Sequence, residues 1–561
     1  MELLNQRMKQ EMERCKQVAR AAGLQFSDNT LEYIVSNRDM LDLSPKIMIP
    51  TLYDYWVHDV GALHNRWIYD VFPHNPYETV INTRPPISFY NQDNADWFNV
   101  MIFYHVLGHI DFFQNNVFFR KTWDDDFAGQ ALADKRLINK IREELGPEKR
   151  RVDYVIEFSR AIDNLVGYYP ELEGTDRADA PDIFGVISVK VSFYFGKFLK
   201  RLYDARKIEL SFYYSEIDRF NQCLEEHGKG QGEKAFFEDN RLRGRFPEFQ
   251  AEFKRGNEKE RKPKPKDIFE YLWEHSEVLN QEENRWMKDV MQVVRRTSLY
   301  FQPQMRDKIA NEGWASLWHE RLFVPDERIR THRVPYARVD SDVIFDPRIG
   351  LNPYAIGKHL FEFIEELARK GRLSLEYQLL KDIEARRHYD ERRGDAYAKK
   401  VLFEARAHVT DELLINFLSD DDFQDFVDKY QLFIVGVRPH PEEWDKAEVY
   451  IKSKNGRKYR DLINQSLYHP PYIDYETESE GSALYLNHVY EGRSLRTRDI
   501  SPVLIGLEFF SGKRVKLETT EYDEVRPSNW WKWHESGFEP QYRIVRVLYT
   551  CENKQVKRRV L

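Results

Sequence analysis

The chain has 561 residues and a mass of 67.4 kDa, of which 42% are hydrophobic, 32% charged and 14% aromatic. Its 26 Gly and 24 Pro are too few for a collagenous or low-complexity polymer, and its 36 Phe, 32 Tyr and 12 Trp exclude a disordered one. A net charge of −8 leaves no global basic field, so nucleic acid is not an expected partner.

Length alone suggests two to four domains at about 150 residues each. The first fifteen residues read as a charged amphipathic helix, without the apolar centre of a signal peptide. Cys15, Cys223 and Cys551 lie too far apart for a metal knuckle and are too few for a disulfide scaffold. The apolar stretch around Phe98–Gly108 is far short of a bilayer span. The expectation is a cytoplasmic protein with no integral membrane segment.

Thr79–Asn82 is an early extended candidate; helical periodicity dominates thereafter. It runs through Asn94–Arg120, Leu137–Leu145, Val152–Leu165, Val186–Leu202 and Ile208–Leu224. It continues through Glu283–Tyr300, Asn311–Phe323, Tyr354–Lys370 and Asp390–Asn416, with prolines mostly between the stretches. Lys254–Lys266 carries seven basic residues and two prolines; it reads as a solvated loop, or as a docking patch for an acidic partner. After Phe423 the texture changes. Leu432–Val437, Val449–Lys452, Ala483–Tyr490, Arg514–Thr519 and Ile544–Cys551 read as strands, interleaved with helices over Lys458–Leu467 and Ser501–Phe510. The expected fold is mainly α: a large helical domain over residues 1–430, then a smaller α+β domain over 431–561 with a mixed or antiparallel sheet.

Three strings could carry chemistry. His105 and His109 stand at i and i+4, so on one helix they point the same way and could close on one metal ion. Two histidines packed in an aromatic core would show the same spacing. In the zincin helix H-E-x-x-H a glutamate after the first histidine serves as base; here Val106 stands there and can take no proton. Asp111 is the nearest carboxylate in sequence and a candidate to orient a histidine. In Asn311-Glu312-Gly313-Trp314-Ala315, Glu312 matches the N-E-x-x-A glutamate that supplies the third zinc ligand in gluzincin peptidases, and His319 follows on the same helical face. A solvated glutamate near a helix start is the bland reading. In Gly350–Gly357, Asn352 and Pro353 suit a helix start, with Tyr354 as a candidate phenol donor near a substrate carbonyl. No P-loop, nucleophile elbow or dinucleotide fingerprint is present.

Tyr77–Asn82, the segment HVLGHIDFFQNN from His105 to Asn116, NEGWASLWHERL and GLNPYAIG together resemble the stage V sporulation protein R (SpoVR) family, in order and in approximate spacing. That resemblance implies a cytoplasmic bacterial protein tied to spore cortex assembly, or to stress and stationary-phase adaptation where no spores form. It also implies two partners, a PrkA-type serine kinase and a von Willebrand A-like protein. Activity is left open between two classes. One is a zinc-dependent hydrolase of the peptidase or amidase type, with His105, His109 and Glu312 as ligands. His319 would serve as base or fourth ligand, Asp111 would orient, and Tyr354 would stabilise the oxyanion. The other is a non-catalytic regulatory or scaffolding protein.

Overall fold

Fifteen consecutive residues of one helix, Asn99–Phe113, are buried. A helix that is apolar on every side has no solvent face to offer, so it becomes the axis around which others pack. The computed structural model describes residues 2–27, 29–36, 78–119, 127–166, 189–204, 208, 210–238, part of 246–253, 267–344, 351–439, 447–468, 470–477, 483–490, 492–525 and 541–561. By contact the chain falls into two units. The larger comprises Met1–Tyr168, Lys266–Phe363 and Phe403–Leu561, and the smaller Tyr169–Pro265 and Ile364–Leu402.

The larger unit begins with β1 (Glu2–Leu3), α1 (Gln6–Ala21), β2 (Leu31–Val35), β3 (Glu78–Ile81) and β4 (Ile87–Asn91). The strands form one sheet in the order β1-β2-β4-β3, with β2 and β4 parallel and the outer pairs antiparallel. The central helix α2 (Asp96–Asn115) follows, then α3 (Phe127–Leu145), α4 (Arg150–Ala161), α5 (Ile268–His275) and α6 (Arg285–Arg306). Next come α7 (Lys308–Phe323), α8 (Arg333–Val343), α9 (Pro353–Arg369), α10 (Gly394–His408), α11 (Asp411–Asn416) and α12 (Asp420–Tyr430); of α9 only the part to Phe363 and of α10 only the part from Phe403 belong to the larger unit.

Small residues set how these helices meet. A Cβ on Gly108 of α2 would stand 2.8 Å from the Ala315 Cα of α7. On the other side of α7, a Cβ on Gly313 would stand 2.2 Å from the Gly357 carbonyl carbon of α9. The two crossings are backbone on backbone, and α7 is wedged between α2 and α9. This gives a packing reason for the glycines in all three motif strings.

The chain then forms a two-stranded antiparallel ribbon of β5 (Ile434–Pro439) and β6 (Ala447–Ser453), and α13 (Gly456–Ser466). A five-stranded sheet follows from β7 (Ile473–Thr477), β8 (Ala483–His488), β9 (Arg514–Val525), β10 (Gln541–Glu552) and β11 (Gln555–Val560), in the order β11-β10-β9-β8-β7. Only β8 and β9 pair in parallel, which requires a crossover; α14 (Thr497–Ser511) provides it. The fold is mainly α with a smaller α+β region at the C-terminal end, as expected.

The contact division does not follow the expected boundary at residue 430. Leu484, Leu504, Leu507, Phe510 and Val547 are buried in one core with Ile138, Val155 and Met291, and Ile268 of α5 joins them. The sheet rests on α14, and α14 rests on α4: the Phe158 and Phe509 rings meet at a 33° tilt with centroids 4.6 Å apart. The C-terminal strands therefore complete the larger unit. The smaller unit has its own aromatic core around Tyr194, Phe198, Phe236 and Phe249, beside the helices Leu210–His227 and Lys229–Glu238. Among the described residues no helix is long and apolar enough to cross a membrane. The basic segment Lys254–Lys266 lies outside the described residues.

Candidate metal centre

α2 and α7 cross at Gly108 and Ala315, one turn or less from His105, His109 and Glu312. The close approach of the two backbones lets short side chains from both helices converge. The His105 and His109 rings stand edge to face with centroids 4.6 Å apart. Glu312 Oε2 lies 3.5 Å from His109 Nε2 and 3.9 Å from His105 Nε2. One ligand atom from each of the three lies within 4.8 Å of the others. Donor atoms on a tetrahedral zinc, with bonds of 2.0–2.2 Å, stand about 3.3–3.6 Å apart. The donor set and its spacing fit such an ion after small adjustments.

Proton positions follow from the partners behind each ring. Burial works against the charged form of Asp340, yet the His319 hydrogen bond and nearby positive charge hold its carboxyl below the ordinary value. An ionised carboxylate only accepts, so His319 Nε2–H donates to Asp340 Oδ1 at 2.8 Å. His319 Nδ1 is then the acceptor in the 2.9 Å contact with His105 Nδ1, and His105 Nδ1–H donates. That leaves the lone pair of His105 on Nε2, facing Glu312. His109 reaches the same state by another route: its Nδ1–H donates to Asn311 Oδ1 at 2.9 Å, leaving the Nε2 lone pair on the same side. Two imidazole lone pairs and a carboxylate oxygen thus converge, an arrangement that repels itself unless a cation or a proton stands among them.

His319 does not take the place expected for it. Both its ring nitrogens are engaged, one by His105 and one by Asp340, so neither is left to bind an ion as a fourth ligand. Complete burial pushes its pKa down to about 4, partly opposed by the Asp340 hydrogen bond, which makes it a weak proton acceptor near neutral pH. Asp111 is also redirected. It lies about 200° around α2 from His109. There it accepts from the Gln25 backbone N–H at 2.6 Å and from the Trp314 indole at 2.9 Å, with Arg406 3.5 Å away. Burial raises its carboxyl to about 6 despite that guanidinium. Asp111 ties the segment after α1, α7 and α10 to α2 and orients no histidine of the cluster. Tyr354, at the start of α9, does reach the site: its ring stacks beside His105 with centroids 6.2 Å apart.

Two participants escaped the sequence reading. Asn311 stands in the N-E string, and its residue type was the available signal. Asp340 sits on α8 in an unremarkable V-D-S-D-V stretch and becomes visible only when α8 is folded against α7.

Among known families, residues 2–469 match the family described as SpoVR like protein. The uncharacterized protein YcgB of Escherichia coli (strain K12) is 23% identical over 350 residues, which cover 60% of this chain and 59% of that protein. The chain thus spans about three fifths of the length of that curated relative. No solved structure matches the chain. His105, His109, Asn311, Glu312, His319, Asp340 and Tyr354 all fall inside the matched segment.

Proposed function

Because the chain belongs to the SpoVR-like family, we propose from the site itself that it is a zinc-dependent enzyme acting on an amide bond, peptidase- or amidase-like. The observation that carries this reading is the convergence of His105 Nε2, His109 Nε2 and Glu312 Oε2 from two crossed helices. A zinc ion held by these three residues supplies Lewis acidity toward a carbonyl oxygen.

The chain's own groups do the rest. The Asp340–His319 pair fixes the tautomer and tilt of His105, and Asn311 does the same for His109. Tyr354, whose ring stacks beside His105, would donate its phenolic O–H to an oxygen that gains charge as the carbonyl carbon becomes tetrahedral. With Val106 inert and His319 a weak base, Glu312, the carboxylate of the converging set, would take the proton of attacking water on the oxygen that does not hold the ion. The same groups would serve amide formation on an activated carboxyl, where an amine attacks the carbonyl carbon, loses its proton and the activating group leaves. We propose that this activity operates in the cytoplasm in spore cortex formation or in stress and stationary-phase adaptation. The partners proposed with it are a PrkA-type serine kinase and a von Willebrand A-like protein.

Metal analysis of the purified full chain tests the reading. We expect one tightly held zinc per chain, lost in His105→Ala and His109→Ala variants that keep the wild-type far-UV spectrum. A well-folded wild-type protein that takes up no divalent metal would replace the enzyme with the regulatory or scaffolding alternative.

A further inference from the structure

A second recess lies in the larger unit, where α14 crosses the five-stranded sheet, and its lining shares no residue with the histidine cluster. It is a cavity of about 510 Å³, within the range of small-molecule sites. Its walls are aliphatic: Ile473, Leu486 and Leu517 from the sheet, Val503 and Leu504 from α14, and Leu165 from the turn after α4. Its polar rim is different: Arg493, Ser494 and the exposed Arg496 line it from the loop that enters α14, and Tyr468, His488 and Tyr522 also line it.

Three observations give this rim a sign. Arg493 and Arg496 bring two guanidinium groups, whereas the one lining carboxylate, Asp499, has Arg498 at 3.6 Å. The fifteen-residue helix α14 starts here with Arg496 at its cap position and no capping side chain, so its positive end adds to the field. Arg493 Nη1 and Ser494 Oγ, both on lining residues, are buried donors with no hydrogen-bond partner among the described residues. Buried donors left unmade cost free energy that an anionic acceptor recovers. Most of the lining also lies beyond residue 469, outside the segment matched to the family.

We propose that this cavity binds a small amphiphilic anion: a carboxylate or phosphate head held by Arg493, Ser494 and Arg496, with an unbranched aliphatic body on the leucine-rich floor. Among the described residues no two of Tyr468, His488 and Tyr522 form a stacked pair, and the branched aliphatic walls favour an alkyl chain over a nucleobase. The recess is a ligand site separate from the metal centre and stands whether or not that centre holds zinc.

Calorimetric titration of the full chain with decanoate, decyl phosphate, decanol and inorganic phosphate tests this. We expect one equivalent of decanoate or decyl phosphate to bind, and decanol and inorganic phosphate to bind at least about tenfold more weakly, since each lacks one half of the recognised chemistry. The tighter of the two anions identifies the head group. Arg493→Gln should weaken the anion about tenfold or more. Val503→Trp, which fills the cavity from a half-buried position, should abolish binding while leaving the far-UV spectrum unchanged. Equal affinity for decanol and decanoate would overturn the proposal, as would undiminished decanoate binding in a folded Val503→Trp variant, including where Arg493→Gln does not fold.

Discussion

Asp340 accepts from His319 at 2.8 Å, and this contact sets proton positions along three side chains. If the carboxylate becomes an amide, His319 no longer has a partner that can only accept. Its ring can then present Nδ1–H to His105, which would move the His105 lone pair away from Glu312. Partners behind a metal-binding histidine typically matter by about 10–100-fold in metal affinity. We therefore expect Asp340→Asn to lose zinc affinity on that scale in a competition titration against a chelator, with the thermal midpoint little changed. Unchanged affinity would leave Asp340 a packing residue. The sequence made His105, His109 and Glu312 legible because helical spacing and residue type together are specific. It misassigned His319 and Asp111, because periodicity places a residue on a face without saying what packs there. For His319 the facing group is Asp340, 2.8 Å away across a loop; for Asp111 it is Trp314 and Arg406.

Among elements, α7 holds the site in register, and two features of it can be tested. Gly313→Ala would gain up to about 1 kcal/mol in helix propensity. The new Cβ would stand 2.2 Å from α9 backbone, which cannot swing aside as a side chain can. Overpacking of about 1–3 kcal/mol or more follows, so we expect a net loss of about 2 kcal/mol in denaturant unfolding. Gly196→Ala, with nothing among the described residues within 4 Å of the added carbon, should be neutral or slightly stabilising and is the control. The second feature is at the N-terminus of α7, where Asp411 of α11 accepts from the Ala310 N–H at 2.8 Å. Burial raises its pKa from 3.8 to about 7, although the N–H groups of Ile309, Ala310 and Lys308 favour the charged form. Unfolded, the group ionises near 4, so between about pH 4 and 7 the folded chain keeps a proton the unfolded chain has released. The Asp411 contribution therefore favours folding at the acid end and is lost as pH rises through that window. Wild-type stability relative to Asp411→Asn should fall between about pH 4 and 7; a flat difference would refute the raised value. The long helices were readable from their period, and α2 appears within two residues of its expected start. The sheet of β1, β2 and β4 was not, because β2 and β4 pair in parallel across a long stretch of chain and leave no local turn signature.

Across the whole molecule, the composition change after Phe423 correctly marks where strands begin but not where the larger unit ends. A run of Val, Ile and Tyr tells that a face will be buried, not against what. Here the face of α14 is buried against α4 and the sheet against α14, so residues 431–561 supply Leu484, Leu504, Leu507, Phe510 and Val547 to a core that begins at Ile138. Each such side chain is worth about 1.5–3 kcal/mol when fully buried, so these five together contribute on the order of 10 kcal/mol. That is comparable to the net stability of an ordinary domain, about 5–15 kcal/mol. Residues 1–430 expressed alone should therefore lose cooperative unfolding, bind a hydrophobic dye and aggregate, since Ile138, Val155 and Met291 would face water. Residues 431–561 alone should do the same through the bare side of α14. Adding the two fragments together should restore a cooperative transition if the shared core is what joins them. A 1–430 fragment that is monomeric and melts sharply on its own would show instead that the helical part closes without the sheet, and the boundary near residue 430 would then be a true domain boundary.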